Sequence, residues 1–453
     1  MCRPRSYLAA AGTAVLVLWS TAHPRPATAA PMVEVYGTGS AEIQIVNLDD
    51  ASSATVFVDF YQHFLHRFSP RQPVGYARRV APGTFVNMGL PTEGELPHAL
   101  YGARQQSDHA IGGWVRTDWS TVGATMAYSA VAPATEVVVP LFLKRAEGQD
   151  GAIAVMIDGD DGGDVELTLW AADGSLALRQ TYAFEPHEPR ILPLAAASPS
   201  GLPFPGIGFI GWASLRSQVP LAAVGLVDSA ASQFGAYAFE GVPIDRTGKT
   251  LHAPFVRRSS PRGPGDTVTT LWLTNPNDRA TTVSLRYDGN AGTCAGQTFV
   301  DGPHVVAAHA MVRFDPRTTG ALPMNCVATA MVIADANVAA VAVDTIDGGN
   351  LRAAYTASAA TDGATRIALP MVRRQHTAKR FTTAIAVQNT SATLANIEIA
   401  FRDANGIALA ACGAACRVVL SPGAGHFFYP STALNGIPVG SQGSATLTSD
   451  QPI

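Results

Sequence analysis

Apolar and polar residues alternate over short stretches along the whole chain. Ile397, Ile399 and Phe401 fall on one face of an extended segment, while Glu398 and Arg402 fall on the other. A period of two predicts a half-buried β-strand. Val283, Leu285 and Tyr287 repeat the pattern, as do Val165, Leu167 and Leu169; in a less regular stretch near the start, Val56, Val58 and Phe60 form the expected inward set. Ahead of each lies a short apolar run, residues 43–47, 153–158, 271–275 and 385–389, ending at Asn47, Asp158, Asn275 and Asn389. Asn and Asp suit a turn there, because their side chains bond nearby backbone and tolerate turn conformations.

The same order of features recurs four times. A proline followed by apolar residues appears as Pro31-Met32-Val33, Pro140-Leu141-Phe142, Pro254-Phe255-Val256 and Pro370-Met371-Val372, at intervals of 109, 114 and 116 residues. Each is expected to open a unit. Later turns are marked by Ala81-Pro82-Gly83 and Ser421-Pro422-Gly423, then by Leu96-Pro97, Leu202-Pro203, Leu322-Pro323 and Ile437-Pro438. Two further strands close each unit, for example 327–333 and 338–345, with a hairpin turn over 347–350.

Seven or eight short strands in about 115 residues, with frequent turns and no helical period, predict an all-β chain of tandem antiparallel β-sandwich repeats of about 110–116 residues each. The expected divisions are a signal peptide over 1–29, repeats over 30–139, 140–248 and 249–364, and a fourth, incomplete repeat over 365–453. Small polar connectors such as 240–250 and 357–365 suggest a rod or beaded chain whose units share little apolar interface and melt separately. A solenoid is the competing architecture, but its repeats are shorter. The fourth unit stops at Gln451-Pro452-Ile453, before the last strand pair its neighbours use, so the native gene is expected to continue.

The order of alternating strand, Asn turn, alternating strand, Pro-Gly turn and final apolar strand pair resembles the immunoglobulin-like repeats of bacterial exported and surface proteins, including cell-adhesion modules. The resemblance covers nearly the whole mature chain and implies spacing, adhesion or surface assembly, with no catalytic residues to carry over. A Cys, Trp, Cys core signature is missing, which separates the chain from antibody-type domains.

The first residues change the picture of location. Arg3 and Arg5 precede a short apolar run over 8–19, and Ala27-Thr28-Ala29 supplies small residues for cleavage, as in an export signal. The run is too short to span a bilayer, and no later segment is an unbroken apolar twenty-mer, so no membrane span is expected in the mature chain. Removing Arg3, Arg5 and Arg25 takes the formal charge from −4 to −7. A cationic surface for nucleic acid is therefore missing. Four cysteines remain after Cys2 leaves with the signal. An even count in an exported chain favours disulfides, and independent units imply local pairs, Cys294 with Cys326 and Cys412 with Cys416.

Candidate chemistry is sparse. The chain lacks a G-x-S-x-G elbow, an H-E-x-x-H helix and a Walker loop. Asp158, Asp160, Asp161 and Asp164 crowd a Gly-rich turn and are calcium candidates by oxygen density, although Gly162 breaks the EF-hand spacing and a solvated acidic turn is the plainer reading. Lys144-Arg145, Arg257-Arg258 and Arg373-Arg374 recur after the opening strand as candidate anion contacts, or as charges guarding a sheet edge. Phe57, Phe60, Tyr61, Phe64 and Phe68, interleaved with His63 and His66, offer either core packing or flat faces for sugars or protein. No catalytic residue, metal or cofactor is expected. The function expected is that of a secreted or cell-surface stalk, adhesion element or envelope component whose partner is a glycan or an envelope protein; the alternative is a glycan-binding accessory region of a secreted polysaccharide-active enzyme.

Overall fold

The computed structural model describes residues 32–33, 39–49, 51–64, 67–68, 74–89, 100–119, 124–129, 131, 133–192, 206–229, 236–259, 267–346, 352–376, 382–409, 412–428 and 438–453. Residues 1–29, where an export signal is expected, His66, the hairpin turn at 347–350 and the turns at Leu96-Pro97 and Leu202-Pro203 lie outside these residues, as do the side chains of His63, Phe64 and Phe68. The described chain is nearly all strand, in antiparallel sheets of which none closes into a barrel. The fold is that of tandem β-sandwiches. None of the described helices is long and apolar enough to cross a membrane.

The third group of strands shows the plan. Its first sheet runs Thr298–Val306, Thr281–Gly292, the start of Cys326–Ile346, then Gly248–Ser259. Its second sheet runs Met311–Phe314, Thr267–Thr274, the end of Cys326–Ile346, then Arg352–Thr356. Val283, Leu285 and Tyr287 point into the core between them, as their alternation predicts. The expected break between 333 and 338 is absent: one 21-residue strand passes from the first sheet to the second. No Gly or Pro interrupts residues 334–337, so the ladder bends without ending. Phe209–Ser229 does the same in the second group, whereas the first group divides the job between Leu100–Ser107 and Ile111–Trp119.

Pro140, Pro254 and Pro370 sit inside the opening strands and do not begin them, while Pro31 lies outside the described residues. Ala134–Lys144 is unbroken across residues 139 and 140, so the second group starts ahead of Pro140. Pairing with the neighbouring strand slips between Val139 and Phe142, between Ala253 and Val256, and between Leu369 and Val372. Each slip is a β-bulge at the Pro dipeptide, where a residue without an N–H costs the ladder nothing.

The bulges are also where neighbours meet, and here the beaded chain is corrected. Thr274 Oγ1 donates to the Pro140 carbonyl at 3.0 Å, Phe427 packs edge-on against Phe255 at 5.5 Å, and Gln44 Nε2 reaches Met371 Sδ at 3.5 Å. The second sheet of each group thus packs on the first sheet of the group before it, and the first group packs on the fourth in the same way. The contacts close a ring. One continuous apolar cluster includes the first and second groups together with Trp272, Met311, Ala339, Val341 and Val343 of the third. Little shared apolar interface was expected from the small polar connectors, which say nothing of the sheet faces such as that of Ala339 that meet the neighbouring group.

Candidate functional site

Each junction is built from one turn. The residue after the third strand of a group stands in the left-handed region: Gly83 at φ 63°, His187 at 55°, His309 at 56° and Gly423 at 75°. Glycine takes this conformation without strain; the two histidines do so at a cost. Beside each turn lies the residue that ends the preceding apolar run. Asn275 is fully buried and donates to the carbonyls of Arg279, Val306 and Ala307 at 2.8, 3.2 and 2.8 Å, while its Oδ1 accepts from Asn277 N. Asn47 and Asn389 repeat this staple. The second group has Asp158 there, which carries no donor, and the local chemistry changes.

At the junction of the first and second groups, Asp158 faces Arg104, with Nε 3.5 Å from Oδ1. His187 lies against Tyr61 at 4.7 Å between ring centroids, and its Nε2 sits 2.9 Å from Asp160 Oδ1. Burial pushes the carboxyls of Asp158 and Asp59 above their ordinary range, partly opposed by Arg104. The calcium candidates are therefore not one cage. Asp158 turns inward to Arg104, Asp160 reaches out to His187, and Asp161 and Asp164 stay exposed. Among the described residues no three His, Cys, Asp or Glu side chains gather as a metal-holding set.

The junction of the second and third groups carries a cleft of about 280 Å³. Its floor is the outer face of the second group's first sheet. Trp170 and Trp212 stand side by side on adjacent strands at 6.1 Å, and Trp212 Nε1 donates to the His309 carbonyl at 2.7 Å. The His309 imidazole lies flat on Trp170, with centroids 4.0 Å apart and planes 10° from parallel, and its Nε2 is 2.9 Å from Asp278. Arg216 donates to both oxygens of Glu136, at 2.9 and 3.3 Å, and Arg179 stands 3.9 Å from Glu166. Each arginine and glutamate named in this cleft has an opposite partner.

The residues singled out from sequence fall elsewhere. Lys144 pairs with Asp150 at 3.0 Å, and Arg145 lies 4.0 Å from the same carboxylate. Arg257 holds Asp344, Arg258 donates to the carbonyls of Pro316 and Leu322, and Arg373 donates to Gln442. Arg374 accepts and donates backbone bonds with Gly440 and Ser441. Gly248–Ser259 has a strand on either side, whereas Arg366–Arg373 ends its described sheet and residues 139–144 are paired on one side only, so the first and last basic pairs stand at a sheet edge; the side-chain partners named are inside their own groups. The structure does not bring them together as an anion stripe. Cys294 and Cys326 are bonded with Cα atoms 5.3 Å apart, as are Cys412 and Cys416 at 5.4 Å. Of the aromatic stretch, Phe60 is core, Tyr61 serves the first junction and Phe57 is half exposed.

Trp170, Glu136, Glu166, Arg179 and Arg216 were passed over in sequence. The signal was present: Glu166, Thr168 and Trp170 alternate with the inward set Val165, Leu167 and Leu169, so they share the outer face. What the sequence withholds is which strands lie beside that one.

Fold and cleft together define a tandem β-sandwich protein with a polar cleft where its second repeat meets its third. No protein-family model matches the chain, and no curated protein matches it either.

Proposed function

We propose that the chain is a non-catalytic exported protein that serves as an adhesion or envelope structural element. The observation that carries this reading is the use made of titratable groups. Asp158, His187, Arg216 and Glu136 are drawn into stacks and ion pairs at repeat junctions, a use of titratable groups that suits structure better than chemistry. Return of the fourth group to the first suits a compact element better than an extended stalk. The resemblance to immunoglobulin-like surface repeats supports the same reading. Antibody labelling of intact cells, with a fractionation control, tests it. The expected result is labelling without permeabilisation and capture of the labelled protein on intact cells; confinement to the cytosolic fraction would overturn it.

A second reading, contact with glycan as an accessory to polysaccharide-active enzymes, is favoured by one feature. The aromatic floor and paired charges of the cleft at Trp170 form a small polar concavity of the kind ligands occupy.

A further inference from the structure

We infer that the cleft between the second and third groups binds a single neutral sugar residue of a glycan chain. The inference deepens the glycan-contact reading and rests on it alone, independent of where the protein is located. Three observations carry it. Size comes first: about 280 Å³ is room for one pyranose ring and little more.

Charge comes second. Glu136 and Arg216 hold each other through two hydrogen bonds, and Glu166 faces Arg179. A charged ligand would have to break one of these pairs to gain another. A hydroxyl both donates and accepts, so neighbouring hydroxyls bond to a carboxylate and a guanidinium at once and leave the pair intact. The third observation is placement. Trp170 is half-buried in the cleft lining with His309 fixed against one face, so the part of the indole left exposed is held rigidly beside the paired charges.

The tryptophan and its paired charges are not repeated in the third group, and the fourth repeats only a carboxylate–guanidinium pair, Glu398 with Arg417 at 3.1 Å. At the matching strand of the third, Arg286 and Asp288 pair with each other, and Met331 lies under the turn at Gly423 of the fourth group. Repetition of the fold without repetition of these side chains is what a binding site added to a scaffold looks like.

The test uses the exported chain and saturation-transfer NMR with cellotriose, chitotriose and mannotriose, alongside choline as a cationic probe and glucuronate as an anionic one. At least one neutral trisaccharide is expected to show transfer to the protons of one ring, with a change in tryptophan fluorescence. Glu166→Gln and Arg179→Gln, both at partly exposed side chains, are expected to weaken it about tenfold each while circular dichroism stays unchanged. Trp170→Phe keeps an aromatic face and is expected to weaken binding less than Trp170→Ala. Absence of transfer from all three neutral sugars to the folded protein, binding confined to choline or glucuronate, or sugar binding undiminished in the Glu166→Gln, Arg179→Gln double variant would each overturn the assignment. Surface labelling of cells together with failed sugar binding would leave the adhesion reading standing and remove this one.

Discussion

Asn47, Asn275 and Asn389 each spend both ends of one amide on the backbone of a turn. The residue type announced a turn in the sequence, but the carbonyls it satisfies come from a strand about thirty residues away and were not legible. Replacing Asn275 by Ala strands buried carbonyls, and urea unfolding should show a loss of about 3 kcal/mol in the third group. His252 is a second buried case: neither ring nitrogen has a partner, and burial pulls its pKa from 6.5 to about 4. The folded value is the lower one, so its stability is whole above pH 6.5 and is lost as pH falls toward 4. The full loss is on the order of 3 kcal/mol. Asp59 and Asp158 act in the opposite sense, since their raised values favour the fold in acid and lessen that benefit as pH climbs past 3.8. Comparing urea midpoints at pH 7 and pH 4.5 for the native chain and His252→Leu isolates the histidine. The variant should show the smaller drop.

At the scale of elements, alternation predicted the inward residues of the second strands, and prolines at fixed intervals exposed the repeat. Neither revealed that the prolines are bulges on which the next group sits. That meaning depends on a surface more than a hundred residues away in the chain. The bend in Cys326–Ile346 was missed for the converse reason, since strand breaks are read from Gly and Pro and none occurs there. The disulfide from Cys294 to Cys326 closes a loop of 32 residues within the third group. Cys326→Ser should cost about 3 to 4 kcal/mol of that group's stability, measured by denaturant titration against the oxidised parent. Gly425 lies where a larger side chain would strike Thr329 of the preceding group and the Val387 carbonyl. Gly425→Val should therefore destabilise the fourth group by about 2 kcal/mol, and a thermal scan that leaves its transition unmoved would show that the junction yields instead.

For the whole molecule, the group that departs furthest from the repeat carries the most chemistry. The second group lacks the Asn staple, shares with the third a histidine in the left-handed turn, and carries the tryptophan cleft on its outer sheet face. Self-similarity made the scaffold readable, and the departures that build the candidate site were hidden by it, because a repeat search rewards what recurs. The contact between the first and fourth groups could not be read from sequence at all, since closure depends on the rotation from each group to the next. Small-angle scattering of the chain from Ala30 onward tests that closure most directly. A ring of four sandwiches predicts a radius of gyration of about 22 to 26 Å, whereas a value above about 35 Å, as four groups in an extended line would give, would contradict it.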